Sequence, residues 1–191
     1  MQIEEAQADV LRIYRGGFSG PLVSAPIWFA AAATYQWASP GVAMTVLFLG
    51  GMLIFPLSAF VLKILGGPAL LPQGHPLGPL GFQSAATVPL GLLVAIVLGT
   101  LEPTLFFPAA LIIVGAHYLT FITLYGTWLF GALAGALVTI GAVALFALPA
   151  LREPSGWIGA AVLLASAIPL YLNYRASLTK EAHPQKRRRL A

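Results

Sequence analysis

Cysteine is absent from this 191-residue chain, and charge is scarce: 8% of residues are Asp, Glu, Lys or Arg, against 59% hydrophobic. Without cysteine there is no disulfide framework, no thiolate metal site and no thiol nucleophile, so redox chemistry says nothing about compartment. Also lacking are carboxylate pairs inside the apolar stretches, His/Asp/Glu groups at ligand spacing, a Gly-rich phosphate loop and a serine elbow. Metal catalysis and acyl transfer therefore lack their parts. No metal or cofactor is expected, and an enzyme is the weaker expectation. There is no arginine ladder for voltage sensing.

What the chain does have is apolar length. Its mean hydropathy is +0.87, and its charges avoid six long segments: Phe18–Trp37, Val42–Leu65, Leu80–Leu101, Thr104–Tyr125, Trp128–Leu148 and Ser155–Tyr174. At ~1.5 Å per residue each segment measures ~30–36 Å, enough for a hydrocarbon core. Ser39-Pro40-Gly41, the Gly- and Pro-rich connector Gly66 to Pro79, Glu102-Pro103, Gly126 and Pro149 separate them, residues that favour turns over helix. The expected fold is all-α: a polytopic membrane protein whose residues 18–175 form one bundle of six transmembrane helices. Arg152 and Glu153 are expected to form an ion pair in the fifth connection.

Residues 1–17 do not resemble a secretory signal, because Glu4, Glu5 and Asp9 precede the first base. Ile3, Ala6, Val10 and Tyr14 recur at helical spacing, which predicts a short amphipathic helix at the interface. Residues 176–191 form a basic tail, where Lys180, Lys186, Arg187, Arg188 and Arg189 supply half of the ten basic side chains. The net charge of +4 suits a membrane topology signal better than a nucleic-acid partner, and none is expected. With six spans, Arg12, Arg15, Lys63, Arg175 and the tail share one side, whereas Arg152 alone marks the other. The positive-inside rule then puts both termini in the cytoplasm. Trp37, Trp128 and Trp157 fall at span ends, as an aromatic belt requires.

Rare polar groups at membrane depth carry the functional expectations. Pro26, Pro56, Pro89 and Pro169 fall in four spans, each roughly 9–14 Å from its cytoplasmic end. Each removes a helix hydrogen bond and frees the carbonyl four residues back, so a layer of kinks opening a small cavity is one expectation. The other is the ordinary frequency of proline in membrane helices. Gln83, Thr87 and Gly91 recur every four residues along one face, with Ser84 beside it. His117 and Thr120 share a face of the fourth span at nearly the depth of Thr87, Ser24 and Ser58 enter the same band, and Tyr118 and Tyr125 mark a neighbouring stripe. His117 is the one ionisable side chain well inside a span, since Lys63 and Glu102 can snorkel. A neutral imidazole bonded between helices would satisfy the cost of its burial; a solute or proton path is the alternative. In the fifth span Thr127, Gly131, Gly135 and Thr139 present small residues at four-residue spacing, which suits close helix association within the bundle or in a homo-oligomer.

Gly50-Gly51-Met52-Leu53-Ile54-Phe55-Pro56-Leu57-Ser58 and Phe106-Phe107-Pro108 through His117-Tyr118-Leu119-Thr120-Phe121 to Leu124-Tyr125-Gly126 give the chain a resemblance. It is similar to a family of small bacterial integral membrane proteins of unknown function. Ala6-Gln7-Ala8-Asp9-Val10, Gly16-Gly17 and Ser24 to Trp28 extend the similarity over most of residues 1–130. The resemblance implies a bacterial inner-membrane location and no particular activity. It also implies that the position of His117 often carries Arg, which favours an anion contact or a buried anchor over a proton relay.

Three functions stay open. The first is a small-solute transport or channel-like protein whose cavity is lined by Gln83, Thr87, His117, Thr120, Tyr118 and Tyr125. The second is a structural, accessory or binding module without transport. The third is a membrane enzyme acting on a lipid-soluble substrate, with His117 as acid or base.

Overall fold

The computed structural model describes the backbone of residues 2–188 and the side chains of residues 2–179. Seven α-helices run in order: α1 (Ile3–Ile13), α2 (Ser19–Trp37), α3 (Pro40–Ile64), α4 (Gly78–Leu101), α5 (Phe106–Tyr125), α6 (Leu129–Phe146) and α7 (Ser155–Arg188). Short 3-10 turns at Arg15–Gly17, Pro103–Leu105 and Pro149–Leu151 join them. Among the described residues there is no strand.

Five helices, α3 to α7, are long and apolar enough to cross a membrane, α7 over Ser155–Thr179. The chain is thus a multi-pass membrane protein in its architecture. The segment expected as the first span, α2, is helical from Ser19 to Trp37 but is not among the five. Its Ser19, Pro21, Ser24, Pro26, Thr34 and Gln36 dilute its hydropathy. Packing accounts for Ser19, Pro21 and Ser24, whereas Pro26 and Gln36 are exposed. α2 lies between α3 and α7, and Ser19, Pro21, Ser24, Trp28, Ala31 and Ala32 are buried. A helix shielded by its neighbours needs less apolar surface than one facing acyl chains. By contrast, α3 and α4 expose Met52, Leu53, Phe55, Phe60, Leu90, Val94 and Val97, the outer face expected of lipid-facing helices.

The tightest packing joins α5 to α6. A Cβ on Gly141 would lie 2.6 Å from the Pro108 carbonyl oxygen, and one on Gly115 would lie 2.7 Å from Val138 Cγ2. Bare glycine at both positions lets the two backbones approach, the membrane-helix use of small residues. Of the two glycines expected to do this, Gly131 also lies on the α5–α6 contact, where a Cβ would come 3.0 Å from Ile122 Cδ1, whereas nothing lies within 4 Å of a Cβ built on Gly135.

Helix termini are tied by side chains. Ser39 caps α3, its hydroxyl oxygen accepting from Val42 N–H at 3.3 Å. Gly126 closes α5 in the left-handed conformation, φ 63°. Arg152 donates to the carbonyls of Ala144 at 3.2 Å and Leu145 at 3.0 Å, satisfying orphan acceptors at the C-terminus of α6. The expected Arg152–Glu153 pair is therefore corrected. Among the described residues the ion pair present is Asp9–Arg12, at 3.2 Å. α1 is helical over Ile3–Ile13, with Ala6 and Val10 buried and Glu4 and Glu5 exposed. It docks on the end of α5, where Gln7 Nε2 donates to Thr123 O at 2.7 Å. The side chains of the basic tail from Lys180 onward lie outside the described residues. The α7 backbone, expected to give way to the tail after Tyr174, continues as helix to Arg188.

Candidate functional site

The polar groups at membrane depth converge on the contact of α4 with α5. His117 Nδ1 lies 2.8 Å from Ser84 Oγ and 2.8 Å from the Ser84 carbonyl oxygen. The Ser84 hydroxyl also lies 3.3 Å from the His117 carbonyl oxygen. One proton assignment satisfies all three contacts. Nδ1–H donates to the Ser84 oxygens, and the Ser84 hydroxyl donates back to the His117 carbonyl. Thr87 joins the knot through the same acceptor, its hydroxyl donating to Ser84 O at 2.7 Å.

Rings pack against the half-buried imidazole. His117 meets Phe121 edge-on at 4.6 Å and Tyr118 at 5.2 Å. Phe121 and Tyr118 pack in turn against Phe130 of α6, at 5.2 Å and 6.0 Å. Tyr125 lies 4.8 Å from Phe130 and is covered by the chain before α2, since a Cβ on Gly17 would sit 2.6 Å from Tyr125 Cζ. Tyr118 and Tyr125 are both buried.

The sequence-predicted residues divide into those inside this knot and those outside it. His117 and Thr87 share the Ser84 carbonyl as acceptor, Thr87 from an exposed position one turn along α4, and Tyr118 and Tyr125 form the wall. Ser24 is buried on α2 and donates to Gly20 O of its own helix at 2.8 Å. Ser58 is buried but serves another joint, donating from α3 to Ser19 O at the start of α2 at 3.2 Å. Gln83 is exposed, and Thr120 is half-buried without a hydrogen bond among those described. Ser84, which one face of α4 carries inward, does what Gln83 was expected to do. Two surface recesses, of about 670 and 530 Å³, lie away from this knot; neither includes His117, Ser84 or Thr87 in its lining. The smaller lies between α2 and α3, lined by Leu22, Pro26, Ile27, Val46, Gly50 and Phe60 among others. Pro26, Pro56 and Pro169 are exposed and Pro89 is half-buried, so three of the four prolines look outward.

Beyond the spans, burial pushes the phenol of Tyr14, at the end of α1, above the ordinary tyrosine value, and the Leu71 backbone of the long connector opposes that rise. In that connector His75 is buried, its Nδ1 accepting from Leu77 N–H at 3.2 Å. Its Nε2 is buried without a partner among the described residues. Among those residues no three His, Cys, Asp or Glu side chains gather as metal ligands.

The model of a family of unknown function, DUF7010, matches residues 3–174. Neither the curated proteins nor the solved structures yield a match.

Proposed function

We propose a reading for this chain, which belongs to the DUF7010 family of unknown function: it is an accessory or binding module of the bacterial inner membrane, without a solute path of its own. In this reading α2 is a sixth span, both termini are cytoplasmic and α1 lies along the interface. The observation that carries it is the Ser84–His117 knot. A buried imidazole on a transport path should present its polar edge to a cavity, whereas this one spends Nδ1 on the neighbouring helix and packs its ring among aromatics. Polar groups used in this way hold helices together where no water is available to satisfy them.

The transport reading keeps one supporting observation. Tyr118, His117 and Ser84 still draw polar side chains from α5 and α4 into one region. Proteoliposomes holding the full chain separate the two. The module reading expects no flux above protein-free vesicles over a panel of ions, amino acids, sugars and organic anions, and a His117→Ala variant that loses stability alone. A solute whose flux needs the protein and falls on His117→Ala establishes the transport reading instead.

A further inference from the structure

The end of the bundle where the N-terminal segment meets the end of α7 holds an open recess of about 670 Å³, lined by Arg15, Tyr171, Tyr174, Arg175 and Thr179 among others. Two arginines line this hollow, and among the described residues neither forms an ion pair with a carboxylate. Each uses a small part of its donor set. Arg15 Nη2 donates to Leu65 O at 2.6 Å, and Arg175 Nη1 donates to the Tyr171 hydroxyl at 3.1 Å. A guanidinium carries five N–H donors in a planar fork suited to phosphate oxygens.

The backbone holds Arg15 at the rim. Arg15, Gly16 and Gly17 have φ of 49°, 75° and 72° in succession, a left-handed run that an arginine seldom joins. Gly16 makes it feasible by lying flush on α7, where a Cβ would come within 2.8 Å of Tyr174 Cβ. Such backbone strain outside a glycine concentrates at functional positions. Below the recess, Leu164, Ile168 and Leu172 are exposed at four-residue spacing. They therefore form one stripe that leads up the helix to Arg175 and Ala176. A cationic rim above an apolar track fits one ligand chemistry: a phosphate oxyanion joined to acyl chains.

We propose that this recess binds the phosphate of an anionic phospholipid between Arg15 and Arg175, with an acyl chain along Leu172, Ile168 and Leu164. The site rests on the bilayer placement given under Proposed function, with the termini on the cytoplasmic side, where anionic headgroups attract basic residues. It does not depend on whether the bundle transports a solute.

The test uses the full chain purified in detergent, with native mass spectrometry of retained phosphatidylglycerol, phosphatidylcholine and, in a separate arm, inorganic phosphate. The wild type retains phosphatidylglycerol over phosphatidylcholine. Arg15→Gln and Arg175→Gln each weaken that retention about five-fold, and the double variant about twenty-fold. Arg12→Gln, whose partner is Asp9, leaves it unchanged. Arg175 is exposed, so its variant keeps the test readable should Arg15→Gln disturb the fold. Equal retention of both lipids, a loss on Arg12→Gln as large as on Arg15→Gln, or binding of inorganic phosphate alone overturns the proposal. Protease access to the tail in inverted vesicles reports topology separately, so an error there is distinguishable from an absent lipid site.

Discussion

Replacing Ser84 and His117 singly and together measures what their contact contributes. Ser84→Ala removes the side-chain contact with His117 Nδ1 and the return bond to the His117 carbonyl, leaving the Ser84 carbonyl in place. Hydrogen bonds between membrane helices average about 0.6 kcal/mol and reach about 1.7 kcal/mol, so Ser84→Ala should cost about 1 kcal/mol. His117→Ala also loses ring contacts with Phe121 and Tyr118, each of the kind worth ~0.5–1.5 kcal/mol; its total should be about 2 kcal/mol. If the two side chains act on each other, the double variant is less destabilised than the sum of the singles by about 0.6–1.7 kcal/mol. That coupling is roughly a 3- to 20-fold effect on the unfolding equilibrium. Reversible unfolding in bicelles, followed by tryptophan fluorescence during detergent titration, reads all four stabilities. Costs that add within about 0.3 kcal/mol would refute the claim that Ser84 and His117 satisfy each other.

Other substitutions separate close packing from mere abundance of small residues. Gly141→Ala should destabilise by about 1–3 kcal/mol, because its Cβ would meet the Pro108 carbonyl; Gly135→Ala should stay within ~0.5 kcal/mol, and the same unfolding assay compares them. Arg152→Gln uncaps Ala144 and Leu145 and should cost about 1 kcal/mol, with faster amide exchange confined to the last turn of α6. Burial favours the protonated phenol of Tyr14. The stability this gives is present below the ordinary tyrosine value of 10.0 and falls as alkali carries the pH toward the raised folded value. Tyr14→Phe should flatten that part of the alkaline unfolding profile, and an unchanged profile would show that Tyr14 does not contribute to it.

The periodic, apolar parts of the architecture are the parts sequence reasoning reads best. Helix ends fell within a few residues of Pro40, Leu101, Gly126 and Ser155, because proline, left-handed glycine and capping residues act locally. α2 illustrates the opposite. Its polar Ser19 and Ser24 are buried against neighbours, and that shielding is a tertiary property. Glycine roles are invisible for the same reason. Gly115 and Gly141 hold α5 against α6 while Gly135 faces open space, yet all three read alike as small residues in an apolar run. At the candidate site, matching depths of His117 and Thr87 were legible from rise per residue. Helical phase was not: one position decides whether Gln83 or Ser84 turns inward, and a rotation of ~100° per residue is finer than an uncertain boundary allows. Arg152 and Glu153 are neighbours in sequence, but adjacent side chains point apart, so the arginine turned to carbonyls.

Solid-state nitrogen NMR of histidine-labelled protein in bilayers tests most directly whether polar atoms at membrane depth bind one another and not water. The chain has three histidines, and a His117→Ala sample identifies the signal. Hydrogen-bonded Nδ1–H with through-space contact to Ser84, and no magnetisation transfer from water, is the predicted result. Rapid transfer from water to the His117 ring, with no contact to Ser84, would contradict it.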